Sequence, residues 1–135
     1  MNLNVIPGFE SLTPQQCFDM SAKHVLKNGK ACVSEQGNCV YSGIGCAAAL
    51  FLTPEARSRA DEMANECGSD WLTLAGDSFV PKKNATLIRK IQTCHDLNKL
   101  EVPFVDFFRR DMRELAKKEG LDDSVLDQLP AVISP

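Results

Sequence analysis

The chain has 135 residues, 44% of them hydrophobic and 24% charged, with a formal net charge of -3 and a pI near 5.3. That length suits one domain with a real core, and the balance of apolar and charged residues excludes a disordered chain and a membrane protein. The acidic excess does not suit a duplex nucleic-acid binder, whose affinity is built from many Lys and Arg contacts to phosphates.

The first stretch, residues 1–12, reads as irregular. It has no basic start followed by an apolar core, and Pro7 and Gly8 interrupt it, so it resembles neither a secretory signal nor a membrane span. The expectation is a cytoplasmic protein. In that reducing setting its six cysteines are expected to stay free and mostly buried.

Thr13 then caps a helix predicted over Pro14 to Asn28, with Pro14 in the first turn and Gln16 completing a capping box. Cys17, Phe18, Ala22, Val25 and Leu26 recur at helical spacing, and Gly29 supplies the left-handed residue that ends it. Ala31-Cys32-Val33 and Cys39-Val40-Tyr41 read as two short strands of a β-hairpin. A lone hairpin is marginal in water, so it has to pack on the helices or gain a third strand.

Ser42-Gly43-Ile44-Gly45 reads as a tight turn, and the charge-free run from Cys46 to Leu52 as the buried start of a helix, because its three alanines favour helix over strand. Thr53-Pro54-Glu55 opens a second helix with a narrow small-residue stripe through Ala56, Ala60, Met63, Ala64 and Cys67. Residues 69–83 are the least regular part, anchored by Trp71, Leu72, Leu74 and Phe79. Asn84 is expected to cap an amphipathic helix carrying Leu87, Ile88, Ile91, Cys94 and His95 or Leu97 on one face. After a turn at Val102-Pro103, the last long helix turns Phe104, Phe108, Met112, Leu115 and Ala116 inward and Arg110 and Glu114 outward. It ends at Gly120-Leu121, and a short helix over about Asp122 to Leu129 follows. The pattern describes an α+β, mainly helical single domain over 1–135, with four to five helices, a small β-hairpin and irregular ends at 1–12 and 130–135.

Three kinds of chemistry are worth weighing. Cys46, at the expected start of a helix, has the setting of a nucleophile, with His95 as base and Asp96 or Asn98 as its orienter. Against that, Cys46 opens an apolar run, His95 lies on or beside an apolar helix face, and no oxyanion-hole signature flanks the cysteine. Cys32, Cys39 and Cys46 recur every seventh residue, with Cys94 and His95 later, but no pair has the two-to-four-residue knuckle of a zinc site, so neither a metal nor another cofactor is expected. Gly43 and Gly45 lack the third glycine and the lysine of a phosphate loop. Tyr41, Gly43, Gly45 and Trp71, with Lys82, Lys83 and Arg89, are the residues suited to an anionic, nucleotide-like ligand by stacking and charge. The competing reading makes Trp71 core and the basic residues a solvated face.

His95-Asp96 resembles the metal-binding doublet of HD-type phosphohydrolases, yet His24 is the only other histidine, and Asp106 or Asp111 would have to complete the set. A satisfied helix-surface histidine is the preferred reading. More of the chain is similar to a group of small, uncharacterised bacteriophage and bacterial proteins. The likeness runs from about Phe18 to Leu121, through Cys39-x-Tyr41-x-Gly43, Gly45-Cys46-Ala47, His95-Asp96, Leu115-Ala116 and Gly120-Leu121. Ser42 stands where that pattern has an arginine, and Ala48 and Ala49 where it has a glycine. The resemblance implies a phage or mobile-element origin, hence the host cytoplasm, and carries no activity with it.

The expected role is therefore non-catalytic binding in host takeover or counter-defence, by inhibiting a host protein or sequestering a small nucleotide signal. The runner-up is a cysteine-dependent hydrolase using Cys46 and His95, and a structural or assembly role is third. Neither duplex nucleic acid nor a membrane is an expected partner, and a homo-oligomer is compatible with the sequence.

Overall fold

A computed structural model of the chain describes residues 5–32, 45–63 and 82–127, and its regular secondary structure there is helical. Four α-helices are present among these residues: α1 (Pro14–Asn28), α2 (Pro54–Met63), α3 (Lys82–Leu97) and α4 (Phe104–Glu119). Short 3-10 turns lie at Phe9–Ser11, Ala49–Phe51 and Ser124–Asp127.

The local chemistry of the ends accounts for α1. Thr13 Oγ1 accepts the Gln16 backbone N–H at 3.1 Å, and Gln16 Oε1 accepts the Thr13 N–H at 2.8 Å, which closes the expected capping box. At the other end Gly29 sits at φ 78°, and its N–H donates to Val25 O at 3.0 Å. The α4 terminus is a Schellman motif. Gly120 N–H reaches Lys117 O at 3.4 Å and Leu121 N–H reaches Ala116 O at 2.9 Å, with Gly120 at φ 69° and Leu121 half-buried behind it.

Helix α3 is central, packing on α1 along one side and on α4 along another, while the Ser124–Asp127 turn closes over α1 and α4. Phe104, Phe108, Met112, Leu115 and Ala116 of α4 are all buried, as their spacing predicts. Phe9 and Phe51 meet edge to face with ring centroids 5.5 Å apart, and Phe104 stacks on Phe108 at 5.6 Å. The start of α1 also meets the residues that follow α4. Gln15 Nε2 donates to Asp122 O at 2.9 Å while Gln15 Oε1 accepts the Asp122 N–H at 2.8 Å.

The α+β expectation is not upheld. Among the described residues there is no strand, only an isolated antiparallel bridge between Val5 and Leu52. Ala31 and Cys32, the start of the expected hairpin, are irregular, and the physical reason is visible at Cys32. Its N–H is taken at 3.1 Å by the His95 ring, 63 residues away, in place of a ladder carbonyl. The rest of that hairpin falls at 33–44, outside the described residues. The run from Cys46 makes one 3-10 turn and not a helix: side chains from three helices take the Ala47 and Ala49 carbonyls and the Ala48 N–H, and Leu52 is already extended at φ -104°, ψ 149°. Asn84 does not cap α3, which begins at Lys82; its buried amide donates to Leu12 O at 2.7 Å. Within the described residues the last short helix is a 3-10 turn at Ser124–Asp127, and the rest of its expected span lies outside them.

Candidate functional site

The sequence candidates meet where α3 faces the two chain segments that leave α1 and enter α2. On α3, Gln92 and His95 are buried polar side chains, and Asp96 is half-buried beside them. An amide N–H can only donate, so the Cys32 N–H at 3.1 Å fixes His95 Nε2 as an unprotonated acceptor. The ring proton is then on Nδ1, directed at Asp96 Oδ1 at 3.0 Å. Because Nε2 is accepting, the ring is neutral, and its contact with Asp96 is a hydrogen bond and not an ion pair. Phe104 closes one side of the ring edge to face at 5.5 Å. Gln92 Nε2 donates to the same Asp96 oxygen at 2.8 Å, and Gln92 Oε1 accepts the Ala48 N–H at 2.8 Å.

Residues 45–49 have their backbone groups satisfied by side chains from three helices. His24 Nε2 lies 3.0 Å from Gly45 O, Ser21 Oγ donates to Ala47 O at 2.7 Å, and Arg57 Nε donates to Ala49 O at 2.8 Å. Gly45 takes φ 80°, so its expected role as a turn glycine is met. Each such buried backbone group would cost about 1–3 kcal/mol if left without a partner. The polar cluster therefore builds irregular structure that no ladder supports.

Cys46 sits inside this cage with 0% exposure. Burial pushes its thiol up, the Asp96 carboxylate and Cys32 add to that rise, and hydrogen bonds from the Ala48 backbone and the Gln92 amide oppose it only in part. No α-helix begins at Cys46, so the dipole that would have favoured a thiolate is missing. Cys32 is half-buried, and its thiol is also raised by burial, opposed by the Lys30 charge, the Gly45 N–H and the Asn28 amide 3.3 Å away. Cys17 and Cys94 are buried and raised by burial to about 11 and about 12. All four are free thiols, while Cys39 and Cys67 lie outside the described residues.

The structure thus brings Cys46, His95 and Asp96 into one cluster, as expected for a catalytic group, but gives His95 Nε2 to a backbone N–H. His95 is satisfied, though in the core and not on a helix surface. Gln92 and Ser21 join the site without having been singled out in the sequence, while His24 and Cys32 enter it after being weighed there only as metal ligands. The only signal for Gln92 and Ser21 is a polar residue on an otherwise apolar helix stripe. Arg89 is exposed on α3, away from this cluster, where its carbonyl accepts Thr93 Oγ1 at 3.1 Å. Tyr41, Gly43 and Trp71, and the side chains of Lys82 and Lys83, lie outside the described residues. Among the described residues no three His, Cys, Asp or Glu side chains are placed to hold a metal, and no helix is long and apolar enough to cross a membrane. Comparison of the chain with family models, with curated proteins and with solved structures finds no match.

Proposed function

We propose that the chain acts by binding and not by bond-breaking, as a small phage-type accessory protein that blocks a host protein in host takeover or counter-defence. The observation that carries this reading is the state of His95. With Nδ1 turned to Asp96, Nε2 is the nitrogen left to serve as base, but it is consumed by the Cys32 N–H, and the cysteine it would activate is sealed in the core. A hydrolase built on Cys46 would have to break the cage that holds residues 45–49 before a substrate could reach the sulfur.

A protein target fits better than a nucleotide signal. One surface groove formed by described residues is lined by Glu119 as its only charged side chain, and another by Asp111 and Glu114 against a single Lys118. Carboxylates repel an anionic ligand at close range.

The test is host growth and phage plating in cells expressing the chain, compared with Cys46→Ala. Binding predicts an unchanged phenotype at equal protein level. Loss of the phenotype in a Cys46→Ala protein that keeps its circular dichroism and melting temperature would restore the hydrolase reading.

A further inference from the structure

Among the described residues, the α3–α4 corner carries the large apolar side chains left outside: Leu97, Leu100 and Val102, exposed by 72%, 80% and 89%. They stand beside a groove between the two helices, about 250 Å³ in volume, with Cys94, Leu97 and Leu115 supplying its apolar surface. A projecting apolar knob next to an open apolar groove, on one rigid helix pair, is a surface that complements a copy of itself.

The charges around it have the same property. Lys99 and Glu101 flank Leu100, and Glu114 and Lys118 line the groove. None of the four takes part in an ion pair among the described residues, whereas Lys90, Arg109, Arg110 and Arg113 all do. The set holds two positive and two negative residues, one of each sign at the knob and one of each sign at the groove.

We infer that the chain forms a two-fold dimer through the α3–α4 corner, with Leu97 near the axis and Leu100 of each copy seated against Cys94 and Leu115 of the other. In a closed two-fold contact every pairing occurs twice. Lys99 then faces Glu114 across the interface and Glu101 faces Lys118, so all four unpaired charges find a partner. Asn98 stiffens the corner from within, donating to Cys94 O at 2.8 Å and to Asp111 Oδ2 at 2.7 Å, so little order has to be gained on association. The patch is small beside a standard interface, which makes the dimer reversible and dependent on concentration. This inference stands apart from the proposed host target: the dimer holds or fails without it.

Sedimentation velocity of the full chain over a concentration series, with reductant present because Cys94 lies at the groove, reads the association directly. The expected result is a mass rising from 14.8 kDa toward twice that value. Leu100→Asp, at a site outside the core, is expected to weaken self-association about tenfold or more while leaving the melting temperature alone. Lys99→Glu and Glu114→Lys each weaken it, and the double variant recovers it, which a non-specific apolar contact would not do. A monomer at every concentration overturns the inference and leaves the corner to a different protein. Association unchanged by Leu100→Asp, or no recovery in the charge-swapped double variant, overturns it as well.

Discussion

Two buried regions of this protein are held by different physics. The α3–α4 pair carries its own backbone hydrogen bonds and is packed through apolar contact, Ile88 and Ile91 on one helix and Phe108 and Met112 on the other, all fully buried, with the Lys90–Glu119 pair and the Asn98–Asp111 bond at its margins. The segment 45–52 is equally buried but has almost no regular structure, and Ser21, His24, Arg57 and Gln92 reach in to satisfy its peptide groups. The first region tolerates any side chain of the right volume. The second depends on particular donors and acceptors, so conservative changes of shape are not conservative there.

Substitutions on each side should separate the two modes. Phe108→Ala should have the largest effect, about 3–5 kcal/mol of lost stability, because it opens a cavity at the helix pair and removes the ring stacked on Phe104. Chemical denaturation measures it, and a loss below that of the polar variant that follows would reverse the ranking. Gln92→Leu keeps nearly the same volume yet strands the Ala48 N–H and removes a donor from Asp96, for an expected loss of about 2–3 kcal/mol. Gln92→Glu, which keeps an acceptor for Ala48, should lose less at a pH where the new carboxyl is protonated. If Leu is as stable as Gln at this position, the polar-cage account is wrong.

The cysteines give a pH handle on the same contrast. Burial raises the Cys17 thiol from 9.0 to about 11, so the unfolded chain releases its proton first. The associated stability is complete below 9.0 and drains away as the pH climbs toward about 11, and Cys94 acts in the same direction. Melting temperature followed through that range should fall, and Cys17→Ala should flatten the slope. A melting temperature indifferent to alkaline pH would mean that these thiols ionise alike in both states.

Much of the helical part was legible in the chain. The Thr13-Pro14-Gln15-Gln16 signal and Gly29 delimit α1 to the residue, and the five inward positions of α4 follow from their spacing. What could not be read was the use of polar residues inside. Periodicity says that position 95 is on or beside a buried stripe, but not that its ring will meet the backbone of Cys32, because that meeting depends on how three helices dock. The apolar run from Cys46 encodes burial without encoding a conformation, and where its alanines favour a helix the structure makes a single 3-10 turn whose peptide groups are held by other helices. Cys46, His95 and Asp96, weighed as an alternative catalytic group, do fall in one cluster, but how its hydrogen bonds are allocated could not be read from spacing.

One small contact has a kinetic consequence. The Gln15 amide imitates a peptide group, pairing with both the N–H and the C=O side of Asp122 across 107 residues of chain. Closing so long a loop is entropically expensive before the intervening helices have gathered, so this tie forms after the folding barrier and must break before the unfolding one. Gln15→Ala is therefore expected to leave the folding limb of a chevron plot nearly unmoved and to raise the unfolding rate several-fold, about 1 kcal/mol in total. Such a residue would act as a brake on opening and contribute nothing to assembly. It makes the lifetime of the native state adjustable at one side chain, independently of how fast that state is reached.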